Sequence, residues 1–171
     1  SDPTHVRIMT FNIEDGIGIG VSTTPATATT TGSQWAYIGL ICQALAPDVI
    51  CLQEIKASPE QLGLLAELAG YWCYWHGAKG YSGVGLLVSE RVAAERPAFA
   101  HPPFDFEHRI VTVRLPAFTL ASVYVPNGGK DFAAKLAFLT ALDAFAASHA
   151  AAGSPLVLCG DLNVARTDLD I

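Results

Sequence analysis

The sequence predicts an α+β fold for a single domain, because strand-like and helix-like segments alternate over 171 residues. Short runs rich in valine, isoleucine and leucine indicate buried strands. Longer segments with apolar residues at helical spacing indicate amphipathic helices. Several of the strand-like runs end in acidic, amide or phenol side chains, which indicates a functional rim at one edge of a sheet.

The amino-terminal segment is expected to contain two strands and one helix. Residues 6–13 alternate like a half-buried strand, and residues 48–52 form a short apolar run. Apolar residues recur at helical spacing over residues 34–45, which predicts a helix before the second strand. Residues 16–33 are mostly small and polar with almost no charge, so we expect a flexible insertion there.

A second helix is expected to begin at Ser58 and to stop at Gly70. Ser58 is a favourable N-cap, Pro59 suits the first helical position, and Gln61 completes a capping box. Two strands should follow, over residues 71–76 and 84–89, around a glycine-containing turn.

The carboxyl-terminal part is expected to contain a hairpin, a long helix and a final strand. The hairpin joins residues 110–115 to residues 118–125. An alanine-rich helix is predicted over residues 132–151, followed by a strand over residues 156–159. The predicted buried side of this helix consists of Leu136, Leu139, Leu142 and Phe145.

Four of the predicted strands deliver polar side chains where they end. These residues are Asn12, Glu14, Gln53, Glu54, Tyr124, Asn127, Asp161 and Asn163. Asp161 and Asn163 are two positions apart and therefore share one face of an extended chain. Taken alone, such a pair is more often a turn, but the repeated pattern favours a magnesium-dependent site that acts on phosphate.

Four sequence blocks carry a resemblance to a known family. They are APDVICLQEIK at residues 46–56, GYSGVG at 80–85, SVYVPNG at 122–128 and CGDLNVA at 159–165. In this order they resemble the exonuclease III type of apurinic/apyrimidinic endonuclease, within the endonuclease/exonuclease/phosphatase superfamily. The likeness runs from about Val6 to the last residue. It implies an αββα four-layer sandwich of two mixed β-sheets flanked by helices, incomplete in this chain.

The resemblance also implies a metal site and catalytic residues. Glu54 would be the main metal ligand, supported by Asn12 and Glu14, with Mg²⁺ as cofactor and Mn²⁺ as a substitute. Asp161 would handle the proton of the attacking water or of the leaving group. The matching catalytic residues are Asp161, Asn163, Tyr124 and Asn12.

The implied substrate is double-stranded DNA with abasic sites or 3′ ends. The residues matched to phosphate or DNA binding are Asn127, Lys56, Gly80, Tyr81 and Arg109. Ten basic and sixteen acidic residues leave a net charge of −6, so any DNA contact has to be local. Lys56, Lys79, Arg109, Lys130 and Arg166 lie in or near the motif loops, although each could equally be a solvated surface charge.

The chain departs from the family pattern after the last block. Family members continue with further strands, an aspartate and a closing Ser-Asp-His motif, whereas this sequence stops at Ile171. None of its five histidines lies in a matching context, and His76 is expected to be structural. We therefore expect the chain to be a fragment or a remnant, with a catalytic rate far below that of a complete enzyme.

The favoured function is Mg²⁺-dependent hydrolysis of DNA, with incision 5′ to abasic sites and 3′–5′ exonuclease activity. We expect a cytoplasmic, nucleoid-associated protein that is a monomer when complete, with no membrane span. The four cysteines are interpreted as small buried hydrophobes in a reducing compartment. Two alternatives stay open: another phosphoesterase of the superfamily acting on a lipid or sugar phosphate, and a non-catalytic DNA-binding or scaffold fragment.

Overall fold

The strands form two four-stranded sheets. The computed structural model describes residues 5–13 and 38–165. The first sheet contains β1 (Ile8–Asn12), β2 (Val49–Gln53), β3 (Tyr71–Ala78) and β4 (Tyr81–Ser89), in the order β1-β2-β4-β3. The second contains β5 (Phe99–Ala100), β6 (Ile110–Arg114), β7 (Thr119–Tyr124) and β8 (Leu156–Asp161), in the order β5-β6-β7-β8.

Both sheets are mixed, and each has one parallel pair. Strand β1 runs parallel to β2, and β7 runs parallel to β8, whereas the other neighbours are antiparallel. The predicted hairpin is confirmed, since β6 and β7 pair in antiparallel register. Because parallel strands finish at the same edge, the polar residues that end each pair lie side by side.

One of the helices is shorter than predicted. Residues 38–45 are helical (α1), which lies within the predicted range 34–45, and residues 34–37 are outside the described part of the chain. Helix α3 spans Phe132–Ala151, as predicted, but α2 covers only Pro59–Leu62. The Ser58–Gln61 capping box is present. Gly63 then takes φ 51°, which ends the α-helix and leads into a single 3₁₀ turn at Gly63–Ala66. No helix in the described ranges is both long and apolar enough to cross a membrane.

The hydrophobic core consists of three layers of buried apolar side chains. Between the sheets, residues such as Val49, Val84, Val113 and Leu120 are fully buried. The outer face of the first sheet packs against Ile38 and Leu62, and that of the second sheet against α3. Alternating side chains thus fill both faces of each sheet, which gives the expected order of helix, sheet, sheet and helix.

The buried side of α3 differs from the prediction at one position. Leu136 is 50% exposed, whereas Phe138, which the periodicity did not select, is only 2% exposed. The Phe138 ring packs edge-on against Phe104 and Phe106, with centroid distances of 5.6 and 5.7 Å. An alanine-rich helix has no strongly marked apolar face of its own, so these long-range aromatic contacts select its orientation.

Gly160 explains how the last strand reaches the site. A Cβ at this position would collide with the backbone carbonyl of Val123, and the glycine itself takes φ 142°. The close approach keeps β8 in register with β7, so that Tyr124 pairs with Asp161. The glycine of the CGDLN block is therefore required by packing between two backbones.

Candidate active site

The ends of four strands, two from each sheet, lie close together, and their polar side chains form one cluster. In the first sheet Asn12 is paired with Gln53 and Glu54 follows, and in the second sheet Tyr124 is paired with Asp161. Two side-chain hydrogen bonds, from Asn12 to Asp161 and from Tyr124 to Glu54, join the two sets across the gap between the sheets. The structure thus brings together the predicted residues that end these strands.

Glu54 lies at the centre of this group. Its Oε1 accepts hydrogen bonds from the Tyr124 hydroxyl at 2.8 Å and from Asn12 Nδ2 at 3.2 Å. Its Oε2 lies 3.1 Å from Lys56 Nζ. Burial alone would raise the pKa of Glu54, but the hydrogen bonds from Tyr124, Asn12 and Lys56 outweigh it and lower the pKa below its usual value. Glu54 is therefore held as a carboxylate with fixed orientation.

Asp161 is the second carboxylate of the group, and Asn12 connects it to Glu54. Asn12 Nδ2 donates to Asp161 Oδ2 at 2.7 Å as well as to Glu54 Oε1. The backbone N–H of Asn163 donates to Asp161 Oδ1 at 2.9 Å, which makes an Asx turn. An amide NH₂ has two donors, so one Asn12 side chain can hold two like-charged groups close together.

Asn163 is itself fixed by two contacts on opposite sides. Its Nδ2 donates to the Val125 carbonyl at 2.7 Å, and its own carbonyl accepts from Lys135 Nζ at 2.6 Å. Lys135 lies in the first turns of α3 and was not identified from the sequence. Its position depends on the packing of α3, so no local pattern marks it.

Tyr124 forms one wall of an adjacent cavity of about 320 Å³. Burial, followed by the hydrogen bond to Glu54, raises the pKa of Tyr124 to about 12, so the phenol remains a hydrogen-bond donor at neutral pH. The cavity is also lined by Tyr81, Asn127 and Lys130. Asn127 Oδ1 accepts from the Gly129 N–H at 2.9 Å, which shapes the loop after β7.

Arg109 also lines the cavity, but it is only 4% exposed. Its guanidinium donates to Glu107 Oε2 at 2.9 and 3.0 Å and to the Tyr81 hydroxyl at 3.1 Å. It also lies over the Tyr124 ring, 4.8 Å from the ring centroid. This buried cation positions both tyrosines, and its direct contact with phosphate stays a prediction. Glu107, its anionic partner, was not identified from the sequence.

The loop that carries Glu54 and Lys56 is attached to the turn between β3 and β4. The Lys56 N–H donates to the Ser82 carbonyl at 2.8 Å, and the Gly80 N–H donates to the Lys56 carbonyl at 2.9 Å. Gly80 is thereby placed beside Lys56, and the neighbouring Tyr81 is 48% exposed. Glu14, the remaining predicted ligand, and residues 16–33 lie outside the described residues.

Strained backbone is concentrated in these loops. Non-glycine residues with positive φ include Glu54, Lys56, Ser82, Glu107 and Asn163. Such conformations cost roughly 1–3 kcal/mol each and persist only where the surrounding contacts hold them. Their grouping around the two carboxylates indicates a site whose geometry is fixed before any ligand arrives.

Comparison with known proteins identifies the family. The model of the Endonuclease/Exonuclease/phosphatase family matches residues 9–171. The chain belongs to this family. It is 33% identical to the DNA repair nuclease APEX1 of Danio rerio and 32% identical to exodeoxyribonuclease III of Haemophilus influenzae. These similarities cover 73% and 77% of this chain, but only 43% and 53% of the two relatives.

Solved structures support the fold. A 3′ phosphatase from Neisseria bound to a product DNA hairpin superposes with a TM-score of 0.71 and 21% identity. An AP endonuclease from Leishmania major superposes with a TM-score of 0.67 and 25% identity. The alignments cover 97% and 96% of this chain and 61% and 57% of the others. The fold and family inferred from the four sequence blocks are therefore confirmed.

Proposed function

We propose that the chain provides the carboxylate and phosphate-binding part of a Mg²⁺-dependent DNA repair nuclease. The reaction would be phosphodiester hydrolysis, 5′ to abasic sites and at 3′ ends of duplex DNA. The main support for the proposal is that the Asn12 side chain donates hydrogen bonds to both Glu54 and Asp161. The Tyr124 hydroxyl also donates to Glu54. The chain spans about half the length of the curated relatives it matches, so the activity of the whole protein is part of the proposal.

The donor set fits a hard divalent cation. Glu54 presents carboxylate oxygens that suit Mg²⁺ or Mn²⁺, and Asn12 would add its amide oxygen once its side chain is turned, because its NH₂ group faces Glu54 and Asp161 in this structure. Lys56 is the cation that lies closest to Glu54 in the described part of the chain, at 3.1 Å. When bound, the metal would supply charge neutralisation for the phosphate and a lowered pKa for bound water.

Asp161 is the residue best placed to move a proton. Its Oδ1 is held by the Asn163 N–H, and its Oδ2 faces Asn12 in the gap between the two sheets. Because both oxygens are oriented before substrate binds, little reorganisation is needed when a proton is transferred. Asn163 and Asn12 would act as positioning residues that fix this carboxylate.

The phosphate of the substrate would be held by the cavity next to these carboxylates. Tyr124 keeps its phenolic proton and can donate to a phosphate oxygen in place of Glu54. Asn127, Tyr81 and Lys130 line the same cavity. Lys56 and Gly80 stand together on the neighbouring loop, where a DNA backbone could pass.

DNA binding would rest on few contacts, since the chain carries a net charge of −6. We propose double-stranded DNA with abasic sites or 3′ ends as the substrate, and the cytoplasmic nucleoid as the place of action. The complete protein is proposed to act as a monomer.

The test is incision and binding of an abasic-site duplex by the purified chain with Mg²⁺. Asp161→Asn should abolish residual incision and retain binding, because it removes the charge while keeping the side-chain shape. Glu90→Gln, at an exposed position just after β4, is the matched control and should leave both unchanged. Equal turnover in the Asp161→Asn chain, or failure of the chain to bind abasic duplex at low salt, would contradict the proposal.

A further inference from the structure

Two histidines and an aspartate that the proposed reaction does not use lie together at the edge of the sandwich. His76 belongs to β3, while His101 and Asp105 lie in the connection between β5 and β6. Strands β3 and β5 each stand at the end of their sheet's strand order. The group therefore joins the first sheet to the second, and it shares no residue with the Glu54–Asp161 group.

The three side chains are within ligating distance of one another. His76 Nε2 lies 2.6 Å from Asp105 Oδ2, and the rings of His76 and His101 are stacked with centroids 3.7 Å apart. One ligand atom from each of the three residues falls within 4.8 Å of the other two. A small movement that opens the 2.6 Å contact between His76 and Asp105 would let one cation replace their hydrogen bond, since Zn²⁺ lies roughly 2.0–2.2 Å from each ligand atom.

Hydrogen bonds to neighbouring groups fix the positions of Asp105 and His101. Asp105 Oδ1 accepts the backbone N–H groups of Arg109 and Ile110 at 2.9 and 3.0 Å, which leaves Oδ2 directed at His76. His101 Nδ1 faces the Ile110 carbonyl at 3.2 Å and Nε2 contacts the Tyr74 hydroxyl at 2.8 Å, so a cation bound by Nε2 would take the place of the Tyr74 hydroxyl while the Ile110 carbonyl keeps the ring in position. Metal-binding histidines and carboxylates commonly have such outer partners, which fix the ring and the free oxygen.

We propose that His76, His101 and Asp105 bind a divalent transition-metal cation of the zinc type. Imidazole nitrogens favour such a cation over Mg²⁺, which prefers oxygen donors. His76 and Asp105 are 17% and 13% exposed, whereas His101 is exposed and gives the cation a path from solvent. Three protein ligands leave a fourth position for water or for His108, whose ring centroid lies 4.7 Å from that of His76.

The bound cation would fasten the two sheets together beside the candidate active site. Asp105 also accepts the backbone N–H of Arg109, whose side chain positions Tyr81 and Tyr124. A cation on Asp105 would therefore stabilise the loop that carries Arg109. The expected consequence is a higher unfolding temperature in the presence of Zn²⁺.

Calorimetric titration with Zn²⁺ tests the proposal, using chelator-treated protein with Glu54→Ala in the background. That substitution removes the candidate magnesium site and keeps the two metal sites separate. About one Zn²⁺ per chain should bind, and His101→Gln should weaken the affinity at least tenfold. Asp105→Asn, which can still accept the two backbone N–H groups through its remaining oxygen, should have the same effect. His5→Gln, at an exposed histidine outside the group, is the control and should bind like the parent.

Co²⁺ substitution provides a second measurement that does not depend on stability. A visible absorption band from tetrahedral Co²⁺ should appear in the parent and be lost with His101→Gln, while far-ultraviolet circular dichroism confirms that each variant is folded. Zn²⁺ affinity that is absent in the parent, or equal in the parent and both variants, would overturn the assignment.

Discussion

Replacing Asn12 with aspartate should convert the bridge between Glu54 and Asp161 into three adjoining carboxylates. In the native chain Asn12 Nδ2 donates at 2.7 Å to Asp161 and at 3.2 Å to Glu54. Hydrogen bonds to charged groups contribute roughly 1.5–3 kcal/mol each, and the lower part of that range applies because Asn12 is exposed. With both hydrogen bonds lost and repulsion between like charges added, we expect Asn12→Asp to cost about 3–4 kcal/mol at pH 7 without divalent cations.

The direction in which stability changes with pH follows from the pKa values of the carboxylates. The folded-state pKa of Glu54 is lowered in the native chain, so its contribution to stability is present above its unfolded pKa and is lost as the pH falls through the folded value. In Asn12→Asp the added carboxylate should raise the pKa of Glu54 instead. The stability deficit of the variant should therefore be largest at neutral pH and shrink as the pH falls toward the carboxyl range.

Urea unfolding monitored by circular dichroism measures this effect with chelator and with excess Mg²⁺. A cation among the three carboxylates offsets their repulsion, so Mg²⁺ should stabilise the variant more than the parent. Asn127→Asp is the matched control, because the Asn127 side chain accepts a hydrogen bond from the Gly129 N–H and an aspartate can do the same. A deficit that is independent of pH and Mg²⁺, or equal in the control, would refute the idea that Asn12 separates two carboxylates at a cation site.

Three further predictions concern the metal, the DNA and the core. Glu54→Ala should weaken Mg²⁺ or Mn²⁺ binding in calorimetry while the circular dichroism spectrum stays native, and unchanged affinity would exclude Glu54 as the main ligand. Lys56→Ala should reduce the slope of log K against log salt for abasic duplex by about one unit, and a steep, unchanged slope would indicate a different DNA surface. Phe138→Ala should cost about 3–5 kcal/mol in urea unfolding, whereas Leu136→Ala should cost far less, since only Phe138 is buried.

The position of each main strand was determined by short-range sequence pattern. Strand β7 lies within the predicted range 118–125, and α3 has the predicted bounds Phe132–Ala151. Apolar alternation and helical spacing depend on neighbours within a few residues, so the sequence alone contains this information. The polar residues at the strand ends could be identified for the same reason, because a carboxylate or amide directly after an apolar strand stands at the edge of the sheet.

Only the tertiary structure determines which of these residues contact each other and which of them are buried. Asn12 and Asp161 are 149 positions apart, and only the stacking of the two sheets brings their side chains to 2.7 Å. Arg109 was matched to phosphate or DNA binding, with a solvated surface charge as the alternative, and its burial against Glu107 and the two tyrosines depends on long-range packing.

The same reason accounts for the predictions that failed and for the histidine–aspartate group that no sequence pattern indicated. The alanine-rich α3 could pack against the second sheet through several of its faces. Contacts with Phe104 and Phe106 favour the orientation that buries Phe138. His76 lies in β3 of the first sheet and His101 in the connection after β5 of the second, so no spacing in the sequence predicts their proximity. Local pattern determines the elements and their polar ends, whereas side-chain partners across the sandwich depend on how the sheets and helices pack.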